Sequence, residues 1–144
     1  MFLYLALLEP DRKAGGYVVT FPDFSYGVTQ GDELEQAMEM AADLLKCLIT
    51  DSMRKNLDLP PPGRLRGKNM RLVSLTVLQE AKVSLYASMR GAGVRPVDLA
   101  RRLGRARSEI DHLLDLDHAS RMDRLETAFR ALDKRLTIAV EDAA

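Results

Sequence analysis

Two short apolar or aromatic runs open the chain, Phe2 to Leu8 and Tyr17 to Phe21, with the turn-rich segment EPDRKAGG between them. Runs of this length bracketing a Gly-rich turn predict an antiparallel hairpin. The first run ends at Glu9-Pro10 and has no basic residues before it, so it is too short for a membrane span and lacks the charge pattern of a signal peptide. After the break PDFSYG, a third short strand is expected over Tyr26 to Gln30. Gly31-Asp32 then marks a helix start, with Asp32 as the N-cap and Glu33 and Glu35 in the first turn.

Within that helix Leu34, Ala37, Met38, Ala41, Leu44, Leu45, Leu48 and Ile49 recur every three or four residues, opposite Glu35, Glu39, Asp43 and Lys46. One apolar stripe of this kind covers one face of a sheet. The helix should stop near Lys55-Asn56, where LDLPPPGRLRGKN is too rich in Pro and Gly to hold regular structure for long. Val73, Leu75 and Val77 alternate with Leu72, Ser74 and Thr76, which predicts a fourth strand closing the sheet.

From Leu78 the period becomes helical. Ala81, Leu85 and Met89 share a face flanked by Val83 and Tyr86, and Gly91 to Gly93 end the run. Three shorter helices are predicted: Pro96 to Leu103, ending at Gly104; Arg107 to Leu114, with Ile110, Leu113 and Leu114 on one side; and Arg121 to Leu132, with Ser120 and Asp123 as a capping box. Leu136, Ile138 and Val140 alternate with polar or small residues and suggest a final strand, which a second copy of the chain could pair. The pattern as a whole is α+β, with a small antiparallel sheet and one helix over 1–77 and an all-α domain with a short C-terminal strand over 78–144.

Composition adds bounds. Lysine plus arginine equals aspartate plus glutamate at 21 each, so attraction to a polyanion has to come from local clustering. The 68 residues through Lys68 hold 8 basic and 10 acidic residues and the remainder 13 and 11, which makes the helical part the mildly basic one. A single cysteine, Cys47, excludes a disulfide framework and fits a reducing, cytoplasmic compartment; its place in the long helix suggests a small core residue.

The densest cluster is LARRLGRARSEIDHLLD, where Arg101, Arg102, Arg105 and Arg107 surround a glycine between two short helices. That layout is a helix-turn-helix, and its second helix is the reader. Arg107, Ser108, Asp111 and His112 fall opposite the apolar stripe and would face a major groove. Arg101, Arg102, Arg105 and the helix start at Ser120-Arg121 suit phosphates. His112 is either a base contact or a solvated histidine, and His118 a loop residue. Catalysis has little support, since the two histidines come with no metal-ligand spacing and no nucleophile pattern. Asp23, Asp32 and Glu33 could form a carboxylate set for a metal, although a turn and a cap already account for Asp23 and Asp32. No metal and no cofactor is expected.

YVVTFPDFSYGVTQGDELEQAMEMAADLL, Tyr17 to Leu45, resembles the N-terminal domain of the HicB antitoxin family through Phe21, Pro22, Asp23, Thr29, Gly31, Asp32 and Glu35. The helical end from Gly93 to Leu136 is similar to the helix-turn-helix domain of some members. The resemblance implies a partial ribonuclease-H-like first domain without catalysis, which binds a small mRNA-cleaving HicA-type toxin. It also implies operator binding by a homo-oligomer that represses its own operon. Phe24, Ser25 and Tyr26 are the candidate toxin contacts, although this chain has Ser25-Tyr26 where the family pattern has Pro-Gly. Two alternatives stand beside it: a free-standing regulator with a ligand-sensing first domain, and a nuclease, which would need a second carboxylate pair the strands do not offer.

Overall fold

A computed structural model describes residues 2–63 and 67–143. Residues 64–66, inside the expected Pro- and Gly-rich connection, lie outside the described residues. The chain divides into two compact units, Met1–Glu80 and Ala81–Ala144, three residues beyond the boundary expected from the sequence and inside a helix.

The first unit contains β1 (Tyr4–Pro10), β2 (Tyr17–Thr20), β3 (Val28–Gly31), α1 (Leu34–Arg54) and β4 (Met70–Val73). All pairings are antiparallel, in the order β3-β2-β1-β4. Leu8 faces Val19 and Tyr4 faces Val73 across the ladders, so these four side chains share one face with Ala6, and all are buried. Helix α1 covers that face with Ala37, Ala41, Leu45, Leu48 and Ile49, and Phe21 and Phe24 complete the core. Gly31 lets the helix approach so closely, because a Cβ there would sit 2.4 Å from the Ala37 backbone nitrogen.

Several expected boundaries move, and β3 spans Val28–Gly31 in place of the expected Tyr26 to Gln30. β1 starts at Tyr4 and runs through Pro10, which pairs with Tyr17 at the end of the ladder, a position where the missing N–H of proline is tolerated. Asp32 is not the helix cap: Glu33 holds the N-cap position without a side-chain bond, and the Gln36 side chain reaches back to accept the Asp32 backbone N–H at 2.6 Å. The fourth strand ends at Val73, and Val77 opens helix α2 (Val77–Ala92) with its side chain exposed. Thr76 and Gln79 form a reciprocal cap there, Thr76 Oγ1 accepting the Gln79 N–H at 3.2 Å and Gln79 Oε1 the Thr76 N–H at 3.0 Å. A capping box of this kind satisfies two orphan donors at once and overrides a weak strand alternation.

The second unit holds most of α2, then α3 (Pro96–Leu103), α4 (Arg107–Leu114) and α5 (Met122–Arg130). Val83, Leu85, Leu99, Ile110, Leu125 and Phe129 form its core. The observed α+β class matches the pattern read from the sequence, but the C-terminal strand does not form. Residues 135–143 have no regular structure, and Ile138 and Val140 are exposed. Among the described residues of this unit there is no other strand to ladder with, and an alternating run alone supplies no hydrogen-bond partners. Among the described residues no helix is long and apolar enough to cross a membrane.

Candidate functional site

Helix α3 begins at Pro96, whose fixed φ and missing N–H suit the first turn. Asp98 accepts both the Arg95 backbone N–H at 3.0 Å and its guanidinium at 3.1 Å; that guanidinium holds the Asp98 carboxyl below the usual carboxylate range. The helix ends at Gly104, in the left-handed conformation at φ 61° and ψ 36°. The N–H groups of Gly104 and Arg105 return to the carbonyls of Arg101 and Ala100, the geometry that turns a chain sharply after a helix. Ala106 then occupies the N-cap of α4 without a side-chain bond. Leu99 and Ala100 on α3 and Ile110 and Leu113 on α4 are buried, which holds the two helices together as a pair.

The opposite side of α4 is exposed at Arg107, Ser108, Asp111 and His112, so these four expected reading residues share one face. Arg107 lies 3.8 Å from Asp111 and Arg105 3.9 Å from Glu109, loose exposed pairs that hold the arginines weakly. Arg101 is exposed near Asp98 at 3.8 Å. Arg102 is tied down by donating to the Ala131 carbonyl at 3.2 Å. Arg121, the N-cap of α5, pairs with Asp123 at 2.8 Å.

Ser120 does not cap α5, contrary to the capping-box expectation. Its hydroxyl accepts from Lys82 Nζ at 2.7 Å, donates to the His112 carbonyl at 3.2 Å and lies 2.9 Å from His118 Nδ1. Lys82 also donates to the His112 carbonyl at 2.7 Å and is fully buried. Burial pushes its ammonium below the ordinary lysine range, and the charge of Asp115 pulls it partly back. The His112 and His118 rings stack at 4.4 Å, 3° from parallel. Lys82 therefore ties α2 to the end of the reading helix and to the loop beyond it. Sequence reasoning missed this residue, although its spacing to Leu85, Tyr86 and Met89 places it on the apolar stripe of α2.

In the first unit, Phe24 is buried and packs against Tyr4 with ring centroids 5.1 Å apart, while Ser25 is exposed. Tyr26 is about half exposed and donates its hydroxyl to Asp51 near the end of α1. Lys55 pairs with the same carboxylate at 2.9 Å and lies 5.7 Å from the Tyr26 ring. These bonds hold Asp51 below its ordinary range and raise Tyr26. Val28, two residues on and in edge strand β3, is also exposed. Asp23 accepts the Gly63 N–H at 3.0 Å and Tyr4 donates to the Pro60 carbonyl at 2.8 Å, so both anchor the segment that follows α1. Cys47 is exposed on the outer side of α1, not a core residue as its helical position suggested, because the buried stripe passes through Leu45, Leu48 and Ile49 instead.

Comparison with known proteins gives the family. The family described as HicB_like antitoxin of bacterial toxin-antitoxin system matches residues 3–84. Antitoxin HicB 1 of Photorhabdus laumondii is 33% identical over 96% of this chain and 86% of its own length. Antitoxin HicB of Escherichia coli K12 is 31% identical over 94% and 96%, and Antitoxin HicB of Pseudomonas fluorescens 31% over 99% and 97%. A chain of a solved toxin-antitoxin complex from Streptococcus pneumoniae is 21% identical at a TM-score of 0.45, over 75% of this chain and 92% of that one.

Proposed function

The chain belongs to the HicB-like antitoxin family, and from that premise we propose that it neutralises a HicA-type, mRNA-cleaving toxin by direct binding and represses its own operon by reading operator DNA. It acts by binding, without catalysis and without a cofactor, in the cytoplasm. The observation that carries the DNA half is the glycine-punctuated helix pair, with Arg107, Ser108, Asp111 and His112 exposed together on α4. Arg101, Arg105 and Arg121, on the exposed rim around that face, contact phosphates. Arg102 contributes less than the sequence suggested, because its guanidinium is engaged at Ala131, and Ser120 positions the reading helix through Lys82.

For the toxin half, Ser25 and Tyr26 form the contact surface, extended by Val28 on the edge strand, and Phe24 supports them from the core. A homodimer or a higher homo-oligomer presents two reading helices to a two-fold operator, and the segment around Ile138 and Val140 is available to pair between copies.

Operator affinity tests the DNA half. Arg107→Ala lowers it by about 1 to 3 kcal/mol and relaxes specificity, whereas Arg101→Ala weakens specific and random DNA alike and flattens the salt slope by about one unit. Equal effects of both variants on both DNAs contradict the assignment. A free-standing regulator would bind the operator yet leave a co-expressed toxin free.

A further inference from the structure

A cavity of about 430 Å³ opens among α3, α4 and α5 in the second unit, within the size range of small-molecule sites. Its floor is apolar, made by Leu103, Ile110 and Leu113, and one wall carries the stacked rings of His112 and His118. Its rim is cationic. Arg105, Arg121 and Arg124 surround the opening, and Glu109 is the single carboxylate of the lining. Arg105 and Arg121 have acidic neighbours, but the Arg124 guanidinium has no carboxylate partner among the described residues.

The electrostatics deepen inward. Behind the His112 and Ser120 wall stands the Lys82 ammonium, fully buried and hydrogen-bonded to a carbonyl and a hydroxyl, both neutral. Asp115 acts on this ammonium through its charge but is not among its hydrogen-bond partners, so part of the cation's field extends into the nearest space of low dielectric. A bare inorganic anion would leave the apolar floor unused, and a neutral hydrocarbon would leave the cations unanswered. A ligand that satisfies both has an apolar ring and one negative group.

We propose that this cavity binds an organic anion of the aromatic carboxylate class, its ring on the Leu103, Ile110 and Leu113 floor and its carboxylate at Arg124. Arg105 and His112 belong both to the cavity wall and to the proposed DNA surface, so an occupant sits where it modulates DNA reading. The binding itself does not depend on that reading.

The test titrates the full chain, without DNA, with 2-naphthoate by calorimetry, using 2-naphthamide as the uncharged isostere and inorganic phosphate as the bare anion. Naphthoate binds saturably, one molecule per chain, and the amide binds about tenfold more weakly or worse, the scale of one charge-assisted contact. Arg124→Glu weakens naphthoate by about tenfold, and Thr127→Trp, which places an indole in the mouth, abolishes binding while circular dichroism is unchanged. The proposal is overturned by absence of saturable binding to the wild-type chain, by equal affinity for the amide, or by indifference to Arg124→Glu. It is also overturned if phosphate displaces naphthoate at equal concentration, which would give the rim to a bare phosphate such as that of a DNA backbone.

Discussion

Replacing Gly31 by alanine places a Cβ 2.4 Å from the Ala37 nitrogen, 2.6 Å from its Cα and 2.9 Å from the Gln36 carbonyl carbon. These are backbone atoms of the first turns of α1, so no rotamer change relieves them. The helix has to retreat by about 1 Å from the face formed by Tyr4, Ala6, Leu8 and Val19, which loosens the packing of Ala37 and Ala41. Overpacking of this kind costs about 1 to 3 kcal/mol, and rigid backbone on both sides puts it near 3. For a unit of this size each kcal/mol moves the midpoint by roughly 4 to 8 °C, so the first unit should melt roughly 12 to 24 °C lower. Gly91→Ala is the control. It lies inside α2 with nothing within 4 Å of the added Cβ, and it should stabilise by about 0.5 to 1 kcal/mol by restricting the unfolded chain. Calorimetric melts of wild type and both variants decide the matter, and a loss below about 1 kcal/mol for Gly31→Ala would refute the close-approach argument.

Other consequences follow from the same contacts. Thr76→Val removes the reciprocal cap of α2 and should cost about 1 kcal/mol in urea unfolding, with rescue by Thr76→Ser; an unchanged midpoint would show the cap to be idle. The lowered Lys82 value means that, between it and the ordinary 10.5, the unfolded chain holds a proton that the folded chain has released. Stability therefore rises with pH across that window, and the burial penalty is fully present below it. Tyr4, pushed up to about 12 by burial and then by Asp23 and Glu80, acts oppositely above its ordinary 10.0. The difference between wild type and Lys82→Met isolates the lysine, and a pH-independent difference would contradict its burial as a cation. Exposed Cys47 should react with a disulfide reagent in the native state as fast as in urea, and protection would place it in a contact.

Punctuation explains what was legible. Pro96 and Gly104 bound α3, because these residues act on their own backbone and need no distant partner, and α4 starts after Ala106 without a side-chain cap. Elements decided by competition were harder to read. Thr76 and Gln79 carry a capping signature that outweighs the alternation running through Val77, and Gln36 takes the N–H beside Asp32. Ser120 and Asp123 have the right spacing for a cap, yet the Ser120 hydroxyl is claimed by Lys82, 38 residues away, which no local pattern encodes. The network that joins buried Lys82 to Ser120, His118 and the His112 carbonyl, and the cavity it backs, exist only once α2, α4 and the loop before α5 converge. Ile138 and Val140 alternate as a strand does, but a strand is a property of two segments.

The central claim is that this chain holds a toxin, and co-expression with the product of a short neighbouring toxin gene tests it most directly. Size exclusion of the mixture should give one stable complex, with growth restored, and Tyr26→Glu should dissociate the complex while leaving operator binding intact. Separate elution of the two proteins with growth still arrested would contradict the account.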